Sequence, residues 1–204
     1  MIGCLNTSGP ISLLMTWGFN VKKPYRIYLA GFDVFRQDSI AHGEQLVAQC
    51  AKAGAVGLYP LDNVVPEGLA GHAMAKWIAD ANVRMIDSCD AVLVNLNPFR
   101  GHEPDSGSVF EFGYACGIGK PVWGYFADHR AMIDKVPNAN GHDDEGMTVE
   151  DFDLPVNLML ATRWAGSSHS FEQGLAALIQ HLDAQPVCRA GKDNRSVDDG
   201  ALTP

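Results

Sequence analysis

The feature that most constrains the fold is a regular alternation of short apolar segments with longer segments of helical periodicity. Four segments have the length and composition of buried strands and end near glycine, proline or polar residues: 26–30, 56–59, 91–96 and 122–126. The third is apolar enough to be buried on both faces of a sheet. Strands that alternate with helices predict a parallel sheet with helices on both faces.

The segments between these strands carry apolar residues at helical spacing. The predicted helices are 40–53, 72–88, 108–117 and 171–182, the first capped by Ser39 and the last by Ser170. A short helix beginning at 157–159 and a fifth strand at 160–164 complete the pattern. Because parallel crossovers are right-handed, few topologies remain. We therefore predict an α/β fold: a flavodoxin-like, doubly wound, five-stranded parallel sheet of order 2-1-3-4-5.

This topology predicts where a ligand binds. In such sheets ligands bind at the carboxyl ends of strands 1 and 3, where the strand order reverses. The loops expected there are 31–37 and 95–107, and the second leads into Glu111. Their charged side chains are Asp33, Arg36, Arg100, Glu103 and Asp105.

The chain length sets the domain organisation. The 204 residues suffice for one domain with a sizeable core. We expect three parts: a leader over 1–24 that packs loosely or is disordered, a single α/β domain over 25–184, and a polar tail over 185–204.

Charge and cysteine content exclude several function classes. The formal net charge of -9 disfavours nucleic-acid and membrane partners, and no apolar run reaches membrane-spanning length. Five cysteines without a CxxC pair indicate free thiols in a reducing compartment, which predicts a cytoplasmic protein. The histidines form no metal spacing, and the segment GYACGIGK lacks the first glycine of a phosphate loop. We predict no metal and no cofactor.

Glu111 has two interpretations. Ser108 and Glu111 fit the S-x-x-E capping box, in which the glutamate bonds back to the helix start, and from spacing alone this is the simpler interpretation. In the second, a carboxylate in the first helical turn is held ionised by the helix dipole and serves as the nucleophile of a glycosyl transfer.

A resemblance favours the second interpretation. Five segments carry it, namely IYLAGFDVF, YPLDN, NVRMIDSCDAVLVNL, NPFRGHEPDSGSVFEFGYACGIGKPVWGY and PVNLML. Together they resemble the nucleoside 2-deoxyribosyltransferase family over residues 26–182. The core of the match, D-x-G-x-x-x-E-x-G-x-A-x-x-x-G-K, is long and specific.

The resemblance implies a role for each matching residue. Glu111 occupies the nucleophile position, and Tyr28 matches the tyrosine that orients it. Asp105 matches an acidic residue beside the deoxyribose. Asn157 matches an asparagine that a neighbouring subunit contributes to the sugar site, with Met159 near it, which implies a homo-oligomer, a dimer or larger. The implied ligands are a 2'-deoxynucleoside and a free nucleobase, exchanged with retention through a covalent deoxyribosyl-Glu111 intermediate.

The chain departs from the family pattern at Asn82. Some relatives carry aspartate there, so the donor that protonates the leaving base is open in this chain, with Asp33 and Asp62 as candidates for assistance. Two other functions also remain open. The first is hydrolysis of a nucleoside or 5'-nucleotide with the same Glu111 and water as acceptor, and the second is a non-catalytic sensor of a nucleotide derivative.

Overall fold

A computed structural model gives the structure of this chain and describes residues 23–185. The predictions made for the leader and for the polar tail lie almost entirely outside the described residues. The central part of the chain has the strands and helices given below.

The five strands form one parallel sheet. They are β1 (Arg26–Ala30), β2 (Val56–Leu58), β3 (Ala91–Asn95), β4 (Val122–Tyr125) and β5 (Gly166–Ser168). Their order is β2-β1-β3-β4-β5 and every neighbouring pair is parallel, which confirms the predicted fold class and strand order. The register places Tyr28 of β1 beside Val92 of β3. Tyr28 is therefore held at the centre of the sheet, where it is fully buried.

Helices cover both faces of the sheet. They are α1 (Ser39–Lys52), α2 (Gly71–Ser88), α3 (Ser106–Gly117), α4 (Met132–Lys135), α5 (Leu158–Ala161) and α6 (Phe171–Ala184). Alternate residues of β3 point to opposite faces: Val92 and Val94 pack with α2, α3 and α5, whereas Ala91 and Leu93 pack with α1 and α6. All five β3 residues are buried, as the sequence predicted.

The predicted position of the fifth strand was wrong. Residues 160–164 lie at the end of α5 and in the turn after it, and the strand is Gly166–Ser168. Leu160 and Trp164 supply the apolar signal because they pack into the core beside α3, not because they form a strand. Gly166 lies where a side chain would collide with the Trp123 ring, so the true strand is small and polar.

Other boundaries differ less. Ser39 is the first residue of α1 and not its cap; Asp38 holds the cap position, but its side chain makes no capping hydrogen bond to the helix. Ser170 does cap α6, and its hydroxyl accepts a hydrogen bond from the Gln173 amide at 3.3 Å. Two short 3₁₀ helices that the sequence analysis did not predict, Phe32–Phe35 and Pro60–Asp62, follow β1 and β2. They place the two loops over the carboxyl edge of the sheet.

Three further observations concern the described residues. None of their helices is both long and apolar enough to cross a bilayer. No group of three or more potential metal ligands occurs among them. Their cysteines are free thiols: Cys50 and Cys89 are buried, and Cys116 is partly exposed.

Candidate active site

A cavity of about 230 Å³ opens at the carboxyl edge of the sheet, beside the end of β1. The loop after β1, the turn after β2, the middle of α2 and the first two turns of α3 form its wall. The residues that line it are Gly31, Val34, Phe35, Pro60, Leu61, Ile78, Asn82, Asp105, Gly107, Ser108 and Glu111. This is the region where the reversal of strand order predicted a ligand site.

Glu111 is the most chemically distinctive residue of this wall. Its Oε1 accepts a hydrogen bond from the Tyr28 hydroxyl at 2.6 Å and a second from the Asn82 amide at 3.3 Å. Its Oε2 accepts none from the described part of the chain. The structure thus brings together three residues that lie far apart in sequence, and it fixes one carboxylate oxygen while leaving the other available.

Burial changes the acidity of this group. Desolvation raises the pKa of Glu111 to about 7, and the nearby Asp105 charge acts in the same direction. The hydrogen bonds from Tyr28 and Asn82 oppose that rise, because they stabilise the carboxylate. Burial, with the adjacent Glu111 carboxylate, also raises the pKa of Tyr28, so this hydroxyl stays protonated and donates. Glu111 consequently exchanges its proton near neutral pH.

The capping-box interpretation of Glu111 was wrong. The N-cap of α3 is Asp105, whose Oδ2 accepts hydrogen bonds from the Ser108 amide at 2.9 Å and from the Ser108 hydroxyl at 3.0 Å. Ser108 is a buried residue inside the helix. Glu111 is the sixth residue of α3, so the predicted position in the first helical turn, where the helix dipole acts, was wrong as well.

Asn82 reaches the site from the middle of α2. Its amide group donates to Glu111, while its Oδ1 is buried and has no hydrogen-bond partner among the described residues. An asparagine side chain has no acidic proton to give to a leaving base. The titratable side chains of the cavity wall are therefore Asp105 and Glu111.

Five predicted site residues are absent from this wall; Tyr28 contacts it through Glu111, and Asp33 and Asp62 organise neighbouring loops. Asp33 is buried behind Gly31, where it accepts a hydrogen bond from Asn95 at 2.8 Å and faces the His42 ring at 3.2 Å. Asp62 accepts a hydrogen bond from the Tyr59 amide at 3.0 Å and shapes the 3₁₀ turn after β2. Both carboxylates thus organise loops whose other residues line the cavity.

Asn157 and Met159 are also absent from the cavity wall of their own chain. Asn157 caps α5, donates to Glu150 at 2.6 Å and accepts from the Met159 amide at 3.0 Å. The Met159 side chain is exposed. The contribution of Asn157 to a partner's site therefore stays a prediction.

The apolar half of the wall is the part that sequence reasoning missed. Val34, Phe35, Leu61 and Ile78 face the cavity, and the last three are exposed large hydrophobic residues. Apolar side chains in turn-rich loops were the available signal, because such residues are usually exposed for a reason. They give the cavity an apolar side.

The cavity continues into a shallow groove between α2 and α3. The groove has a volume of about 390 Å³ and shares Ile78, Asn82, Gly107 and Glu111 with the cavity. Phe110, 62% exposed, lies on its far side. Glu111 therefore stands at the junction of an apolar cavity and an open apolar groove.

Comparison with known proteins shows the family and the fold. A family model described as nucleoside 2-deoxyribosyltransferase matches residues 27–159. The chain belongs to the nucleoside 2-deoxyribosyltransferase family. A structure of 2-desoxiribosyltransferase from Leishmania mexicana is 37% identical with a TM-score of 0.67, over 78% of this chain and 99% of that one. The recognised family and the doubly wound fold are thereby confirmed.

Two further relatives extend the comparison. A conserved protein from Enterococcus faecalis V583 has 24% identity and a TM-score of 0.54, over 78% of this chain and 99% of its own, which shows the shared fold. An uncharacterized protein of Schizosaccharomyces pombe is 35% identical over 113 residues, 54% of this chain. The match spans about half, 54%, of that curated relative's length.

Proposed function

We propose that this member of the nucleoside 2-deoxyribosyltransferase family transfers 2-deoxyribose between nucleobases with retention of configuration. The observation that carries the proposal is Glu111: a carboxylate at the cavity floor, with one oxygen fixed by Tyr28 and Asn82 and the other oxygen available. A nucleophile needs this combination of fixed orientation and a free lone pair.

The first half of the reaction forms a covalent intermediate. The ionised Oε2 of Glu111 bonds to the anomeric carbon of a 2'-deoxynucleoside while the bond from that carbon to the base nitrogen breaks. The electron pair of the broken bond leaves with the base, which takes up a proton from solvent; the second half of the reaction returns a proton. The absence of an electron-withdrawing 2'-hydroxyl favours this step, because its transition state resembles an oxocarbenium ion.

The second half reverses these changes with another base. A ring nitrogen of the incoming base attacks the anomeric carbon, the ester bond to Glu111 breaks, and the incoming base loses a proton. Two displacements on one carbon give net retention. No metal or cofactor is required by this balance.

Asp105 supplies the second carboxylate of the site. Both hydrogen bonds from Ser108 go to its Oδ2, so its Oδ1 is available to accept one from the sugar. We assign it to the 5'-hydroxyl of the deoxyribose. A 5'-phosphate would face two carboxylates, Asp105 and Glu111, which argues for nucleosides over nucleotides.

The partner prediction belongs to the same proposal. Exchange requires that water be kept from the intermediate, and the groove between α2 and α3 leaves Glu111 open on one side. We propose that a second copy of the chain covers this groove and brings Asn157 and Met159 to the sugar. Its apolar rim, including Ile78 and Phe110, suits such a contact.

The test is an exchange assay. The protein is incubated with a deoxynucleoside and a second base, and the new deoxynucleoside is followed by chromatography. We expect exchange by the wild type and none by Glu111→Ala. A folded wild type that makes no new nucleoside, or a fully active Glu111→Ala, would refute transfer. Free deoxyribose released as fast as exchange would instead favour hydrolysis.

A further inference from the structure

One cation near the cavity has no charged partner in the described part of the chain. Arg100 lies in the loop between β3 and α3, and its guanidinium carbon is 4.6 Å from the centre of the Phe99 ring and 5.7 Å from that of Phe35. Phe35 is part of the cavity wall, and Phe99 stacks on it with ring centres 5.4 Å apart. The two rings hold the guanidinium beside Phe35 of the cavity wall through cation–π contacts.

Arg100 shares its lack of a side-chain partner with Arg84 and Arg163, and within residues 23–185 it differs from them in lying over two aromatic rings. Arg36 pairs with Asp38 at 2.8 Å, and Arg130 pairs with Asp128 at 2.6 Å. Within residues 23–185, Arg100 has neither an ion pair nor a hydrogen bond. The five N–H donors of its planar fork are therefore available to a ligand.

The backbone at Arg100 supports a functional interpretation. Its φ of 56° lies in the left-handed region, which a non-glycine residue adopts at a cost. A backbone hydrogen bond from the Phe99 amide to the Glu103 carbonyl, at 3.0 Å, closes the loop around it. The loop thus retains an unfavourable conformation that places the side chain over Phe35.

The chemistry of the cavity indicates which ligand group the fork meets. The wall beside Phe35 is apolar, so it stacks on any base and discriminates little between them. An arginine fork matches two adjacent acceptors, as presented by N7 and O6 of a 6-oxopurine. In adenine the group next to N7 is an amino donor, which repels the fork.

A phosphate also matches an arginine fork, but the surroundings disfavour it. The cavity contains Asp105 and Glu111, and the whole chain has a formal net charge of -9. Neither carboxylate is balanced by a lysine, arginine or histidine among the residues lining the cavity. A neutral base edge is the better partner for Arg100.

We propose that Arg100 is a specificity-determining residue that selects 6-oxopurine nucleosides over adenine nucleosides. The proposal rests on the proposed function, because it places the base on the Phe35 side of Glu111.

The test separates binding from turnover. Calorimetry on Glu111→Gln, which binds without reacting, compares deoxyinosine with deoxyadenosine, and the same comparison is made after adding Arg100→Met. Methionine keeps an apolar side chain over Phe35 and removes the donors. We expect deoxyinosine affinity to fall about 10- to 100-fold and deoxyadenosine affinity to stay within about twofold. Arg100→Lys, which keeps the charge without the fork, is expected to lose most of the same preference.

Arg36→Met is the matched control, since it removes a nearby cation that is already paired with Asp38. The proposal would be overturned by an equal loss of deoxyinosine affinity in this control or by binding of neither nucleoside. It would also be overturned if Arg100→Met left the ratio of deoxyinosine to deoxyadenosine affinity unchanged. An effect confined to deoxynucleoside 5'-monophosphates would overturn it too, because it would assign Arg100 to phosphate. Exchange assays on wild-type protein report separately on the proposed function: failed exchange with an intact affinity ratio refutes transfer and leaves Arg100 standing.

Discussion

Two carboxylates lie near the carboxyl edge of the sheet, and they have opposite surroundings. Asp33 is 6% exposed, and its oxygens meet Asn95, His42 and, at 3.5 Å, the Tyr125 hydroxyl. Glu111 lines the cavity and receives both of its hydrogen bonds on one oxygen, so the other is unpartnered in the described part of the chain. A fully partnered carboxylate holds a loop, whereas a half-partnered one is able to react.

Glu111→Gln is expected to have the largest effect on activity. The amide retains the shape of the side chain but is a far weaker nucleophile, so exchange should fall by at least ~10³-fold. The measurement is the rate of new deoxynucleoside formation under saturating substrate. Glu44→Gln, an exposed change on α1, is the control and should leave the rate unchanged.

The same variant should be more stable than the wild type at high pH. The folded pKa of Glu111, about 7, lies above its ordinary value of 4.5. The wild type therefore loses stability as pH rises from that ordinary value to about 7. The neutral amide of Glu111→Gln removes this cost, which the shift sets at up to about 3 kcal/mol. Thermal melts at pH 8 and pH 5 check it: the gain should be larger at pH 8, and an equal or smaller gain there would contradict the raised pKa.

Asp33→Asn should lower stability strongly and change activity little, the reverse of the effect expected for Glu111→Gln. Loss of the carboxylate leaves the donors of Asn95, His42 and Tyr125 poorly matched in a buried site, at a cost of about 2–4 kcal/mol. The melting temperature should fall by about 5–10 °C, while kcat changes little. Asp80→Asn, which breaks a surface pair with Lys76, is the control and should change stability far less. Loss of activity in a folded Asp33→Asn variant would contradict the claim that Asp33 only holds a loop.

Tyr28→Phe tests the donor side of the Glu111 contact. Phenylalanine preserves the buried ring, but the lost hydrogen bond to a carboxylate should reduce kcat by about 10- to 100-fold. The pKa of Glu111 should rise further, since the Tyr28 bond lowers it. Tyr114→Phe removes a comparable bond, to Asp87 at 2.7 Å on the surface, and should retain activity. Equal rates for the two variants would show that Tyr28 does not act on the nucleophile.

Asn82→Asp is the subtlest change. Only the ionised form of Glu111 attacks, so wild-type kcat/KM should increase with pH through about 7. The variant places a second carboxylate where the Asn82 amide lies 3.3 Å from Glu111 Oε1, which makes it harder to ionise both groups. The midpoint of the pH dependence of kcat/KM should therefore move upward by about one pH unit. A pH profile of kcat/KM measures this. A midpoint that stays fixed or moves downward would argue that Asn82 does not contact the nucleophile.

The sequence predicted the sheet well and the site in part. Strand order followed from the alternation of apolar and helical segments, and the topology then placed the loops after β1 and β3 together. The fifth strand was misplaced because Gly166–Ser168 is small and polar, whereas the apolar residues before it serve the core from α5. An edge strand with little burial leaves no periodic signal.

Glu111 shows where local pattern reasoning fails. The S-x-x-E spacing was real, but Asp105 lies three residues before Ser108 and is itself a favoured cap, so α3 begins earlier. The contact between Glu111 and Tyr28 spans 83 residues, and no local pattern encodes it. The family resemblance identified both residues. The raised pKa of Glu111 could not be predicted from the sequence, because it depends on how deeply the side chain is buried.

The most direct test of the account is to trap the intermediate. Wild-type protein is mixed with a deoxynucleoside in the absence of a second base, quenched rapidly in acid, digested, and examined by peptide mass spectrometry. The account predicts one deoxyribosyl group on the peptide containing Glu111, and its loss when a second base is added before the quench. Exchange that proceeds with no adduct, or with the adduct on another residue, would contradict it.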